Sequence, residues 1–378
     1  MGNKSKIPFT ELFERTAVLA REDSLNVEAK FKGLINDVYT KQFPRQFDWR
    51  PLLRDSYIAC TAYYNTGTVA ISAAATTITG SSTVWTTAMT IANGWKIKFV
   101  GNPNIYDFEY TSATEAEITP ALSGATDLSG ASYYLFRDTY ALASDFDRFL
   151  INGGLEYTIG GRPDVIRVTS EDTWKEDFQA LPQARPSRMR VLGEEDASGY
   201  KQIQINPPPQ TALVIPYDYI KKLAPMTEYT TGTITTLAAA GTTVTGSGSA
   251  FSSYIDDSLT RRYYFRVDRD GTGDESVWYL VDEDHASTSA TKLYLTDTYD
   301  GTAIASGTET YTISMVPNLP AIFHDAIMYR AIMLAIADQD DPMYKLYGTL
   351  ASDAITELKV LHKTRTYSKR PAVVIDRR

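Results

Sequence analysis

The sequence predicts an α+β chain: a helical body from N- and C-terminal helices, a mixed β centre, and two inserted small β-sandwich or barrel modules. Three observations predict it. Apolar residues recur at three- and four-residue intervals near both ends. Between them lie Thr- and Ser-rich stretches that alternate as strands do. One of those stretches is repeated, in order, later in the chain. At 378 residues the chain is also too long for one ordinary core.

The first sixty residues read as helical. Ile7, Leu12, Phe13, Val18 and Leu19 precede a break at Asp23-Ser24, a capping pair. Val27, Phe31, Leu34, Ile35 and Val38 then line one helix face. Phe43-Pro44 ends that helix, because proline has no amide hydrogen for the ladder. The segment Phe47 to Leu53 supplies bulky core anchors, Trp49 foremost. Residues 1–62 form this N-terminal part.

From Thr61 to Trp95 there is no charged residue. The stretch is too polar for a membrane helix and too β-branched for a soluble one. Thr77 to Gly80 and Trp95 to Phe99 alternate as strands. The repeat begins here. Thr66-Gly67-Thr68-Val69 reappears as Thr231-Gly232-Thr233-Ile234, and Thr76 to Ser81 reappears as Thr242 to Ser247. Trp85 corresponds to Phe251, and Thr111 to Thr114 matches Thr288 to Thr291. Each copy closes on an aromatic strand, Tyr133 to Phe136 or Tyr311 to Ile313. Two modules follow, 63–136 and 228–316.

Residues 137–227 are the β-rich centre. Glu156 to Ile159 reads as a strand ended by Gly160-Gly161, and Asp172 to Phe178 as a short helix. Tyr200 to Ile205 and Thr211 to Ile215 read as a hairpin joined by Pro207-Pro208-Pro209. Residues 317–363 return to helix. Pro320 suits a first helical position, and Ile322, Phe323, Ile327, Ala331, Met333 and Leu334 follow it. Asp341-Pro342 opens a second helix carrying Leu346, Tyr347, Leu350, Ala354, Leu358 and Leu361. Residues 364–378 form an extended tail.

Formal net charge is −9, yet residues 363–378 carry Lys363, Arg365, Lys369, Arg370, Arg377 and Arg378 against Asp376 alone. The body is therefore strongly acidic. Such a body does not grip nucleic acid, whose affinity comes from phosphate neutralisation. One cysteine, Cys60, excludes an intrachain disulfide and a cysteine-held zinc. The basic opening Met1 to Lys6 lacks an apolar region after it, so no signal peptide is expected. No run of eighteen apolar residues spans a bilayer. Synthesis in a reducing cytoplasm is expected.

Motifs for chemistry are sparse. There is no phosphate loop, no Gly-x-Ser-x-Gly elbow and no His-Glu-x-x-His. The only histidines are His285, His324 and His362. Asp268, Asp270 and Asp274, spaced by Gly271 and Gly273, are a weak calcium candidate, since calcium takes several hard oxygens from a short loop. The same residues also suit an acidic turn. Asp282 to His285 reads as a solvated loop. No enzyme, no catalytic residue and no cofactor is expected.

The tail carries the sharper reading. Lys369, Arg370 and Pro371 precede Ala372 and the β-branched Val373, Val374 and Ile375, and Arg377 follows. Cations flanking a short apolar strand suit β-addition onto an acidic partner's free sheet edge.

The arrangement resembles the head-to-tail adaptor, or connector, proteins of tailed bacteriophages. The likeness rests on the N-terminal helix leading to Phe47 to Leu53, on Thr139 to Arg148 with Ala143 where the family has proline, on the sheet with a proline turn from Ile203 to Tyr219, and on two C-terminal helices from Pro320. The resemblance implies a structural virion protein without enzymatic activity. It implies a homo-oligomeric ring, twelvefold in the family, below the portal at the head–tail junction. Such a ring extends the DNA channel, passes the genome without specific binding, and offers a platform to tail or nozzle proteins. It also implies that the tail docks on the portal. Alternatives are another phage tail or neck ring protein, a host-surface carbohydrate-binding module using Trp85, Trp95 and Tyr229, and a cell-wall hydrolase.

Overall fold

The computed structural model describes residues 6–20, 27–124, 126–150, 155–159, 162–168, 185–195, 198–255, 262–268, 277–282, 288–305, 307–336 and 340–362. The chain is mixed α+β, with sheet predominating. Its contacts divide it into two units, Leu53–Lys221 and Met1–Leu52 with Lys222–Arg378. The expected helix at Asp172 to Phe178, the turn at Gly160-Gly161 and the tail 364–378 lie outside the described residues.

The unit Leu53–Lys221 is built from strands. It opens with β1 (Leu53–Cys60). Then come β2 (Thr68–Ile71), β3 (Thr77–Ser81), β4 (Trp95–Phe99), β5 (Ile105–Ser112), β6 (Glu115–Thr119), β7 (Leu128–Ala131) and β8 (Tyr133–Arg137). These seven form one sheet in the order β7-β2-β3-β6-β5-β4-β8. Strict alternation makes β4 half-core: Trp95, Ile97 and Phe99 point inward while Lys96 and Lys98 point away. Trp85, Phe108, Ile118 and Tyr133 fill the same core.

The rest of this unit holds β9 (Thr139–Ala141), β10 (Phe146–Phe149), β11 (Leu155–Ile159), β12 (Arg162–Val168), β13 (Arg188–Glu195), β14 (Lys201–Asn206) and β15 (Leu213–Lys221). They make two sheets, β1-β15-β10 and β11-β12-β13-β14-β9. Asp138, fully buried, ties the unit together. Its carboxylate accepts from Lys96 Nζ at 2.9 Å, Gln204 Nε2 at 2.5 Å and Thr139 Oγ1 at 2.9 Å. Lys96 comes from the seven-stranded sheet and Gln204 from β14, so one carboxylate joins two sheets.

Two expectations need correction here. Leu53–Cys60 is a strand, not a continuation of the N-terminal helices. It pairs along its whole length with β15, from Leu53 against Ile220 to Cys60 against Leu213. Nor do β14 and β15 form a hairpin. The Pro207 to Pro209 link carries the chain from one sheet to another, β14 pairing with β13 and β9, and β15 with β1 and β10.

The other unit contains α1 (Phe9–Ala20), α2 (Val27–Asp37) and α3 (Phe43–Gln46). Pro44 does not end the helical path as expected. A π turn over Val38–Gln42 precedes it, and Pro44 sits in the first turn of α3, where its missing donor has no intrahelical partner to lose. Later elements are β16 (Glu228–Tyr229), β17 (Thr233–Leu237), β18 (Thr243–Ser247), α4 (Phe251–Tyr254), β19 (Tyr263–Asp268), β20 (Tyr279–Leu280), β21 (Lys292–Tyr294), β22 (Thr310–Met315), α5 (Ile322–Ala335) and α6 (Pro342–His362). Ala321, not Pro320, caps α5. That helix buries residues on every side, from Phe323 to Met333, because it packs against α1, α2 and α6. Met343 N donates to Asp341 Oδ1 at 2.7 Å, which caps α6 as its sequence suggests.

The segments 63–136 and 228–316 share strand order and several equivalent bonds, although the first is one seven-stranded sheet and the second divides into sheets of three and four strands. The strand order β2-β3-β6 answers to β17-β18-β21, and β5-β4-β8 to β20-β19-β22. Tyr133 donates its hydroxyl to Thr66 O, and Tyr311 does the same to Thr231 O. The Tyr64 hydroxyl accepts from Val84 N, and the Tyr229 hydroxyl from Ala250 N. The Tyr64–Tyr133 and Tyr229–Tyr311 rings both lie 6.3 Å apart, at 45° and 44°. Gly67 and Gly232 both hold positive φ, and a Cβ there would strike the carbonyl oxygen of Ser81 or Ser247. In each copy the first and last strands are antiparallel neighbours: Tyr64 bridges Leu135, and Tyr229 pairs with Ile313.

Candidate functional site

Catalytic chemistry finds little support among the described residues. No three His, Cys, Asp or Glu side chains converge as a metal set there. Asp268 of the calcium candidate is engaged, receiving Arg266 Nε at 3.1 Å and Thr312 Oγ1 at 2.7 Å. Asp270 and Asp274 lie outside the described residues, as do Glu283 to His285. The Cys60 thiol is buried, and desolvation pushes its pKa up to about 12, so it is no ready nucleophile. Trp85 and Trp95 are 2% and 8% exposed, so neither offers a ring face to a sugar.

His324 is buried outright, and its Nδ1 accepts from Ile7 N at 3.1 Å. Burial, with Lys6 adding to it and the Leu319 backbone opposing, lowers its pKa to about 4. An unfolded chain takes this proton first, near the ordinary value of 6.5. Stability is therefore complete above 6.5 and falls as pH drops toward 4. The expected loss is about 3 kcal/mol by pH 4. Thermal melts from pH 7.5 to 4.5 check it, and His324→Asn should flatten the slope.

A cleft of 450 Å³ lies among Thr10, Phe13, Glu14, Glu28, Glu228 and Arg266. The Arg266 guanidinium forks onto Glu14 at 3.2 and 3.3 Å and stacks over Trp278 at 4.6 Å. Lys32 bridges Glu28 and Glu228 and lies 4.6 Å from the Phe13 ring centre. Burial works against the Lys32 ammonium, but its bonds to Glu228 and then Glu28 outweigh that and hold its pKa above the ordinary value. These cations are matched within the wall. The arrangement fastens α1 and α2 to β16 and β19.

The remaining candidates are surfaces. On α6, Tyr347, Ala351 and Leu358 are buried, while Leu346, Val360 and Leu361 face outward. The stripe expected on α6 thus divides: Leu346 and Leu361 belong to the outer side. The outer face of the β1–β15 ribbon is a ladder of three rungs, Asp55 opposite Asp218, Tyr57 opposite Pro216, and Ala59 opposite Val214. All six side chains are exposed, Tyr57 by 66% and Val214 by 59%. Asp218's carboxyl is held above its ordinary pKa by desolvation and, next, by Asp55. Sequence reading missed this ladder because it needs the register of two strands about 160 positions apart in the chain, roughly the length of a domain. The residues expected to dock, Lys369, Arg370, Pro371, Val373, Val374, Ile375 and Arg377, lie outside the described residues.

No described helix is long and apolar enough to cross a membrane. A scan against protein-family models finds no match, and a search of curated proteins finds no significant one.

Proposed function

We propose that this chain is a structural subunit of a tailed-phage head-to-tail junction, an adaptor that assembles as a ring below the portal. In this reading the N- and C-terminal helices and the β centre form the adaptor body. The two repeated modules are insertions that contact neighbours or tail proteins. The observation that carries the reading is that large apolar side chains stand in solvent on regular elements of each unit, Leu346, Val360 and Leu361 on α6 in one and Tyr57 and Val214 on the β1–β15 ribbon in the other. Apolar side chains grouped on one face mark interaction surfaces. The acidic body supports it independently, because a lumen of like charge lets DNA phosphates pass without adhesion. The tail, Lys369 to Arg377, is its attachment strand, with the portal as the acceptor that the resemblance implies. No substrate is transformed, and no cofactor or metal takes part.

Electron microscopy of the protein mixed with portal tests the reading. Rings stacked on portal are expected; dispersed monomers under all conditions would sink it. Removal of residues 364–378 is expected to abolish portal attachment while far-UV circular dichroism and the melting temperature stay unchanged.

A further inference from the structure

Among the described strands β1 is an edge: it pairs with β15 on one side, and no described strand is hydrogen-bonded along the other, although β9 lies near it. A free strand edge is a template for another strand. The face beside this edge is also unusual. Two carboxylates stand directly opposite each other, a pairing that disfavours a sheet. No described lysine or arginine pairs with either of them. Next to them Tyr57, Pro216, Ala59 and Val214 leave apolar surface in water. The surface asks for an extended segment with one cation and two β-branched residues on alternate positions.

The chain contains such a segment. Val373, Ile375 and Arg377 fall on one face of an extended strand, because side chains alternate with period two. Laid antiparallel on β1, Arg377 meets Asp55, Ile375 meets Tyr57 and Val373 meets Ala59. On the opposite face Val374 meets Ile58. Pro371 then falls beyond Cys60, past the strand's end, where its missing donor does no harm. The one unfavourable rung is Arg378 against Arg54, at the outer end. The parallel alignment places Arg370 at Asp55 but sets only Ala372 against Tyr57, and so buries less apolar surface.

We infer that residues 372–377 of one copy add as an antiparallel strand to the β1 edge of a second copy, with Arg377 set at the Asp55–Asp218 rung. This contact uses two different surfaces, so it propagates from copy to copy and closes into a ring when the rotation allows. The inference rests on the ring reading above and adds an acceptor for the tail within the ring, a neighbouring copy, beside the portal.

Copies bearing Tyr57→Cys mixed with copies bearing Ile375→Cys test it under mild oxidation. Directly opposed residues on paired strands stand close enough for a disulfide. A covalent dimer is expected, about tenfold more abundant than with Val374→Cys, whose side chain would point to the other face. Wild-type protein is the control for Cys60. A labelled peptide of residues 364–378 should bind the chain lacking those residues, and Asp55→Lys with Asp218→Lys should weaken it about tenfold at low salt. No dimer above control overturns the inference. So does a disulfide that forms only within single chains carrying both cysteines. If removing residues 364–378 abolishes portal binding but leaves self-association intact, this inference falls and the adaptor reading stands. If neither the full chain nor the portal mixture associates, the adaptor reading itself falls.

Discussion

Replacing Asp138 by alanine is expected to destabilise the unit Leu53–Lys221 by about 3–5 kcal/mol, the range for removing one partner of a buried ion pair. The carboxylate is fully buried and takes three hydrogen bonds, from Lys96, Gln204 and Thr139. Truncation removes the carboxylate bonded to the Lys96 ammonium, which is 18% exposed. It also leaves the Gln204 amide, whose oxygen accepts from Arg190 Nε, with a donor to satisfy elsewhere. Asp138→Asn keeps the shape but not the charge and should cost less. Asp138→Leu with Lys96→Met removes both charges together and should recover much of the loss, since a buried pair is often replaceable by packed apolar groups. Denaturant titration of all three variants checks the order. Equal losses in Asp138→Ala and in the double variant would show that the pair is not what matters at this position.

Replacing Trp49 by alanine is expected to cost about 3–5 kcal/mol in the other unit, through lost apolar burial and the cavity left behind. Trp49 is fully buried. Its ring stacks on Phe43 at 4.6 Å and 4°, and Phe323 stands edge-on to it at 5.4 Å and 85°. Its Nε1 donates to Phe43 O at 2.8 Å. Phe43 closes the π turn and Phe323 opens α5, so this cluster fixes where the N-terminal and C-terminal helices meet. Trp49→Phe keeps most of the contact area and loses the indole donor, for an expected cost of about 1–2 kcal/mol. Near-ultraviolet circular dichroism with denaturant melts separates the two variants. A Trp49→Ala protein as stable as the parent would refute the packing account.

The two units differ in how far the sequence announced them. Helices α1, α2, α5 and α6 were legible because each carries an apolar stripe that needs no partner to be recognised. Trp49 was legible as an anchor for its bulk. The repeat was legible because the comparison is internal: Thr76 to Ser81 can be set against Thr242 to Ser247 without knowing either structure. β1 was not legible. Its neighbours upstream are helical, and only Ile58 and Cys60 of its inner face are deeply buried, too short an alternation to stand out. The β14–β15 hairpin was misread because the proline run looks like a turn, while the partners of both strands lie elsewhere in the chain. The charges of the cleft and the Asp55–Asp218 rung share that difficulty. Glu14 meets Arg266, and Asp55 meets Asp218, only after the chain has folded.

Because Tyr64 lies hydrogen-bonded beside Leu135, and Tyr229 pairs with Ile313, the chain enters and leaves each repeated module on adjacent antiparallel strands. Tension carried along the polypeptide would therefore peel such a module open rung by rung from its base, as a zipper opens, instead of loading many backbone bonds in shear. Of two sheet geometries with the same bonds, peeling gives way at the lower force. A chain strained at these points would yield first where the entry and exit strands of each repeat are paired.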